Sequence, residues 1–76
     1  MKITSLKFKN GNLWNPEDLE NFERVNDRTY TLTTEFYKST YTFDSEFKTC
    51  VITNTNFDTG TTMKPFKVIV DFITFE

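Results

Sequence analysis

Histidine, alanine and glutamine are absent from these 76 residues, and cysteine occurs once. Without histidine the chain lacks the usual general base near neutral pH and the commonest metal ligand. A zinc site would need more Cys or His than the chain has, and a single thiol cannot form an internal disulfide. We therefore predict a non-enzymatic protein with no metal and no cofactor, which folds in a reducing compartment or is indifferent to redox state.

Long apolar runs are also missing, since no apolar stretch exceeds three residues, whereas a helix that crosses a bilayer needs about 20. The start, MKITSLKFKN, carries positive charge without the apolar core of a signal peptide. There is no internal repeat and no linker. These features predict one small domain over residues 1–76, located in the cytoplasm and making no membrane contact.

Threonine and aromatic residues are abundant, with 9 Phe, 3 Tyr and 1 Trp. Because these residues favour strands and the best helix former, alanine, is missing, the composition predicts a fold that is mainly sheet. The frequent Phe, Asn, Lys and Ile are encoded by AT-rich codons, and the rare Gly, Arg and Pro by GC-rich codons. This bias indicates a gene from a low-GC bacterial host or one of its mobile elements.

One short helix is predicted after the first strand. Asn15 is a suitable N-cap and Pro16 a suitable first helical residue, while Trp14 and Leu19 have the spacing of a hydrophobic staple. The helix is expected to run for two to three turns and to stop before Asn26, and it would need a sheet to pack on.

Strands are predicted from alternating patterns in residues 2–9, 29–36, 40–53 and 66–75, with a bend or turn near residues 44–46 left open. A hairpin centred on residues 38–39 would place Phe36 opposite Tyr41 and Tyr30 opposite Phe47, and would put the apolar side chains of both strands on one half-buried face. The last strand is apolar on both faces, which is typical of a central or covered strand. The predicted fold is α+β: a mainly antiparallel twisted sheet of four to five strands with one helix, in the order β-α-β-β-β.

The acidic segment that contains the predicted helix is the leading candidate site. Residues 15–27 hold five acidic residues and one arginine. An acidic surface can dock on a basic partner, such as an enzyme that handles nucleic acid. The residues expected to carry this contact are Glu17, Glu20, Glu23 and Arg24.

Two other sites follow from the sequence. If the first and last strands are neighbours, their lysines and those nearby form a basic patch for nucleic acid, although eleven acidic residues disfavour it. The patch would comprise Lys2, Lys7, Lys9, Lys64 and Lys67. A small-molecule pocket would instead be lined by some of the residues Tyr30, Tyr37, Tyr41 and Asp71. Cys50, next to Val51 and Ile52, is expected to be a small buried apolar residue.

From these features we expect a non-enzymatic protein-binding module. Its size and codon bias suggest a phage or mobile-element protein that inhibits a host or defence protein, which is an association and not a physical argument. The alternatives are a small nucleic-acid-binding sheet domain and a small-molecule-binding protein, and a homodimer is compatible with all three.

Overall fold

The computed structural model describes residues 2–9, 16 and 19–76, and within them the chain forms six strands and one 3-10 turn, Leu19–Asn21. The strands are β1 (Ile3–Phe8), β2 (Phe22–Asn26), β3 (Thr29–Thr33), β4 (Tyr37–Phe43), β5 (Thr49–Asn56) and β6 (Phe66–Phe75). They make one sheet in the order β1-β6-β5-β4-β3-β2, and every neighbouring pair is antiparallel. The first and last strands are therefore neighbours.

The α+β prediction was wrong, because the described residues contain no helix beyond the 3-10 turn. The predicted cap at Asn15 lies outside the described residues, but residues 22–25, expected to complete the helix, lie in β2. Asp27 and Arg28 make a two-residue connection from Asn26 to Thr29. The Asn26 side-chain oxygen accepts the Arg28 N–H at 3.0 Å, so residues interpreted as a helix stop form a hairpin turn.

The predicted facing of β3 and β4 agrees with the structure, but their register does not. Tyr30 lies opposite Tyr41 and Leu32 opposite Ser39, so the partner of each residue is shifted by six positions from the predicted pairing. The turn lies at residues 34–36, which leaves Phe36 outside the strand. Tyr30 and Tyr41 still face the core, because the displacement preserves which faces the paired residues share.

A turn at residues 44–48 separates β4 from β5, which settles the alternative left open by the sequence. The Asp44 carboxylate accepts the backbone N–H of Lys48 at 2.7 Å and of Thr49 at 3.3 Å. Partial burial disfavours the ionised carboxylate, but these hydrogen bonds and the Lys67 charge outweigh it and lower the pKa of Asp44. The turn also places Phe47 at φ 58°, in the left-handed region.

A β-bulge explains why β6 is apolar on both faces. Val70 pairs with Phe8 and Phe72 with Lys7, so Asp71 is an extra residue without a partner in the ladder. Before the bulge Val68 and Val70 point inward, and after it Ile73 does. The strand is also central, as predicted, because β1 and β5 flank it.

The sheet curls into a half-barrel around one aromatic core. In a flat sheet β1 and β4 would be about 14 Å apart, three strand spacings, yet the rings of Phe8 and Tyr41 lie 6.5 Å apart. Phe22 from β2 also packs on Tyr41, with ring centroids 5.1 Å apart. The concave face thus holds the core, whereas the convex face carries exposed side chains such as Val51 and Ile69 and also the buried Thr31.

Candidate functional site

The acidic residues predicted to bind a partner do not form one surface. Glu17 lies outside the described residues, and Glu20 is exposed in the 3-10 turn. Glu23 lies on the convex face opposite Thr31, whereas Arg24 lies on the concave side opposite Tyr30 and forms an ion pair with Asp27. Adjacent strand residues point to opposite faces, so the loss of the helix removes the shared acidic face.

The condition placed on the basic patch is met, since β1 pairs with β6. Lys7 lies directly opposite Phe72, and the Lys9 N–H donates to the Ile69 carbonyl at 2.8 Å. Lys67 lies one strand away, opposite Val51. Lys2 and Lys64 are exposed, but Lys2 lies beside Glu76 at the opposite end of β1 from Lys9, with its carbonyl accepting the Glu76 N–H at 2.8 Å, and Lys64 lies in the connection before β6. The structure thus places three of the five lysines along the neighbouring strands β1 and β6.

The tyrosines expected to line a pocket are split from Asp71. Tyr30 and Tyr41 are buried on the concave face, while Asp71 is exposed at the bulge of β6. Burial and the nearby Tyr37 raise the pKa of Tyr41 to about 12, against the opposing effect of its hydrogen bond with Ser39. Asp71 therefore does not line a pocket together with Tyr30 and Tyr41.

Cys50 is fully buried in β5, as its apolar neighbours predict. Burial raises the pKa of its thiol to about 12, and a hydrogen bond with the Thr42 backbone opposes this only in part. A protonated, inaccessible thiol is a poor nucleophile. Within residues 2–9, 16 and 19–76, no three Asp, Glu, Cys or His side chains are grouped so that they could hold a metal ion.

Two exposed phenylalanines lie on adjoining turns at one end of the sheet, and the sequence patterns did not predict this pair. Phe36 is 64% exposed and Phe57 is 48% exposed. They belong to different turns, yet the Phe57 N–H donates to the Phe36 carbonyl at 2.9 Å. We call Phe36, Phe57 and the adjoining exposed carboxylates Glu35 and Asp58 the aromatic tip.

Hydrogen bonds hold both turns of the aromatic tip. The Thr34 hydroxyl accepts the backbone N–H groups of Phe36 and Tyr37, both at 3.2 Å. In the second turn the Asn56 side-chain oxygen accepts the Asp58 N–H at 2.9 Å. Gly60, at φ 68°, supplies the left-handed residue that closes this turn. Both phenylalanines are thus presented by ordered turns.

The convex face has an apolar and basic region over β1, β6 and β5. Val51, Ile69 and Phe72 are 38%, 45% and 48% exposed there. Over β3 and β4 the same face instead carries threonines, among them the buried Thr31 opposite the half-buried Thr40. We call the following residues the convex patch: Val51, Ile69, Phe72, Lys7, Lys9 and Lys67.

The comparisons with known proteins add no family. No protein-family model matches the chain, and the searches of curated proteins and of solved structures return no match. Nor does the part of the chain that the structure describes include a helix long and apolar enough for a membrane span. The functional argument therefore comes from the two exposed sites alone.

Proposed function

We propose that this protein is a non-enzymatic binding module that attaches to another protein through the aromatic tip. The observation that carries the proposal is the convergence of Phe36 and Phe57, both largely exposed, from turns 21 residues apart. Exposing two large apolar side chains to water is unfavourable, and aromatic residues dominate the binding energy of protein interfaces.

The two turns are held in fixed conformations, and this favours binding. A side chain displayed by hydrogen-bonded turns loses little conformational entropy when a partner covers it. The side-chain oxygens of Thr34 and Asn56 fix the turns by accepting hydrogen bonds from backbone N–H groups. The aromatic tip therefore resembles a preorganised anchor, which fits a recess on a partner surface.

The charges at the tip indicate the kind of partner. Glu35 and Asp58 adjoin the two phenylalanines, and Lys38 is the exposed cation nearest to Phe36 along the chain. Two carboxylates against one lysine leave the tip acidic, so electrostatic complementarity favours an apolar recess with a basic rim. This proposal keeps the basic protein partner expected from the sequence but moves its binding surface away from residues 17–24. One partner of this kind is a host or defence protein that this chain inhibits. That the chain comes from a phage or mobile element stays a prediction.

The test compares capture by the wild type, by the double variant Phe36→Ser/Phe57→Ser and by the control Val25→Ser. Val25 is 61% exposed on β2, so its replacement removes apolar surface outside the tip. Tagged proteins would be incubated with nuclease-treated lysate of a low-GC bacterium, and the bound proteins identified by mass spectrometry. Circular dichroism would confirm that each variant is folded.

Support requires a protein captured by the wild type and the control but lost with the double variant. With purified partner, the double variant should bind at least about 30-fold more weakly, as expected for a hot spot worth about 2 kcal/mol. Glu35→Gln should slow association, most at low salt. Capture that is unchanged in the double variant, or the absence of any specific protein, would overturn the proposal.

A further inference from the structure

The convex patch is a second exposed site, separate from the aromatic tip. It lies on the strand faces of β1, β6 and β5, whereas the tip lies in the turns after β3 and β5. Its aromatic residue, Phe72, is directly opposite Lys7 on the neighbouring strand. The Asp71 bulge turns Phe72 outward, because without the extra residue the strand alternation would place position 72 on the concave face with Val70.

Lysines surround the exposed apolar side chains of this patch. Lys7 pairs with Phe72, Lys9 lies beside Ile69, and Lys67 lies opposite Val51. Two carboxylates are also near: Asp71 is the bulge residue, and Asp44 is close enough to Lys67 for the two charges to interact. Three lysines against these two carboxylates make the patch more basic than the whole chain, which has a net charge of −2.

We propose that the convex patch binds single-stranded nucleic acid, with a base stacked on Phe72 and phosphates held by Lys7, Lys9 and Lys67. An aromatic ring on an open sheet face can stack on an unpaired base, and lysines beside the ring can contact the phosphates of the nucleic-acid backbone. A duplex keeps its bases stacked inside the double helix, so it would contact only the lysines and not the Phe72 ring. A surface that binds another protein is expected to have fewer lysines around its apolar centre, because lysine is depleted at protein–protein interfaces. The combination of an exposed ring and adjacent lysines therefore favours the single strand.

The test measures binding of a fluorescent oligothymidylate of about 12 nucleotides by anisotropy, across a series of salt concentrations. Phe72→Ala should weaken binding by about 5- to 150-fold, the range found when one stacked base loses its aromatic partner. Lys7→Gln should weaken binding and reduce the slope of log K against log salt by about 0.7. The controls are Val25→Ala and Lys38→Gln, which remove an exposed apolar side chain and an exposed lysine outside the patch.

Three results would overturn the inference: failure of the wild type to bind the oligonucleotide at low salt, equal affinity for duplex of the same length, or unchanged binding by Phe72→Ala. Loss of a captured protein from Phe72→Ala, with oligonucleotide binding absent, would show that the patch contacts protein instead. Because the aromatic tip is not involved, Phe36→Ser/Phe57→Ser should still bind the oligonucleotide, so the two proposals can fail separately.

Discussion

Deletion of Asp71 should be tolerated, whereas deletion of Ile69, two positions away, should prevent folding. Both residues are exposed, so their side chains contribute little packing. They differ in the ladder, where Ile69 pairs with Thr49 but Asp71 is the extra residue of the bulge. Removing Asp71 makes β6 regular and leaves Val70 and Ile73 facing inward, and we expect a cost below about 1 kcal/mol.

Deleting Ile69 has a different effect if Ile73 keeps its inward position. Val70 then moves to an outward position and Asp71 to an inward one. Exposing Val70, which is 8% exposed in the sheet, costs about 1.5–3 kcal/mol. Burying the Asp71 carboxylate without a partner costs about 3–5 kcal/mol more. The total of about 4.5–8 kcal/mol equals or exceeds the roughly 3–5 kcal/mol of stability that the core of so small a domain supplies.

Urea unfolding followed by circular dichroism would measure both deletions against the wild type. The Asp71 deletion should unfold cooperatively with a slightly altered midpoint, and the Ile69 deletion should show no folded baseline. If the Asp71 deletion were as unstable as the Ile69 deletion, the assignment of the bulge would be wrong. If the Ile69 deletion folded normally, the inward and outward assignment of residues 68–73 would be refuted.

The other predictions concern the turn after β4 and the buried thiol. Phe47→Gly should be more stable than Phe47→Ala by about 0.5–1 kcal/mol in urea unfolding. Both variants lose the ring contacts with Phe43 and Phe75, but only glycine adopts the left-handed backbone at this position without strain. A more stable alanine variant would contradict this. Because the pKa of Asp44 is lowered in the folded state, its ionised carboxylate stabilises the fold at pH values above the ordinary pKa of 3.8, and this contribution is lost as the pH falls through the folded-state pKa. Asp44→Asn should therefore lower the urea midpoint at pH 7 and make that midpoint less dependent on pH in the acid range. An unchanged midpoint at pH 7 would exclude that role. Iodoacetamide should modify Cys50 at least about a hundredfold more slowly in the native protein than in urea, and rapid native labelling would show that the thiol is accessible.

Local sequence patterns predicted much of the sheet. The alternation around Tyr30 and Tyr41 identified the residues that face the core, and both are buried. Side-chain direction follows from the period of two in a strand, so it can be inferred without knowing the partner strand. The burial of Cys50 was predicted in the same way from its apolar neighbours.

The helix prediction failed because local capping signals compete with tertiary pairing. Asn15 and Pro16 resemble a helix start, but a helix of two to three turns has little stability of its own. Residues 22–26 gain ladder hydrogen bonds with β3, and the Phe22 ring gains contact with Tyr30 and Tyr41. The pair Asn26 and Asp27, with Thr29 and Tyr30 beyond it, carried the hairpin signal that could have corrected the prediction.

The composition and alternation of the sequence determined a strand-rich chain and the facing of its central strands, because these depend on local backbone geometry and side-chain periodicity. Tertiary structure alone decided the strand order, the hairpin register and the bulge at Asp71, because each depends on which distant residues pair. Both candidate sites depend on that pairing. Phe36 and Phe57 are neighbours only because two turns lie at the same end of the sheet, and Lys7 lies opposite Phe72 only because β1 pairs with β6.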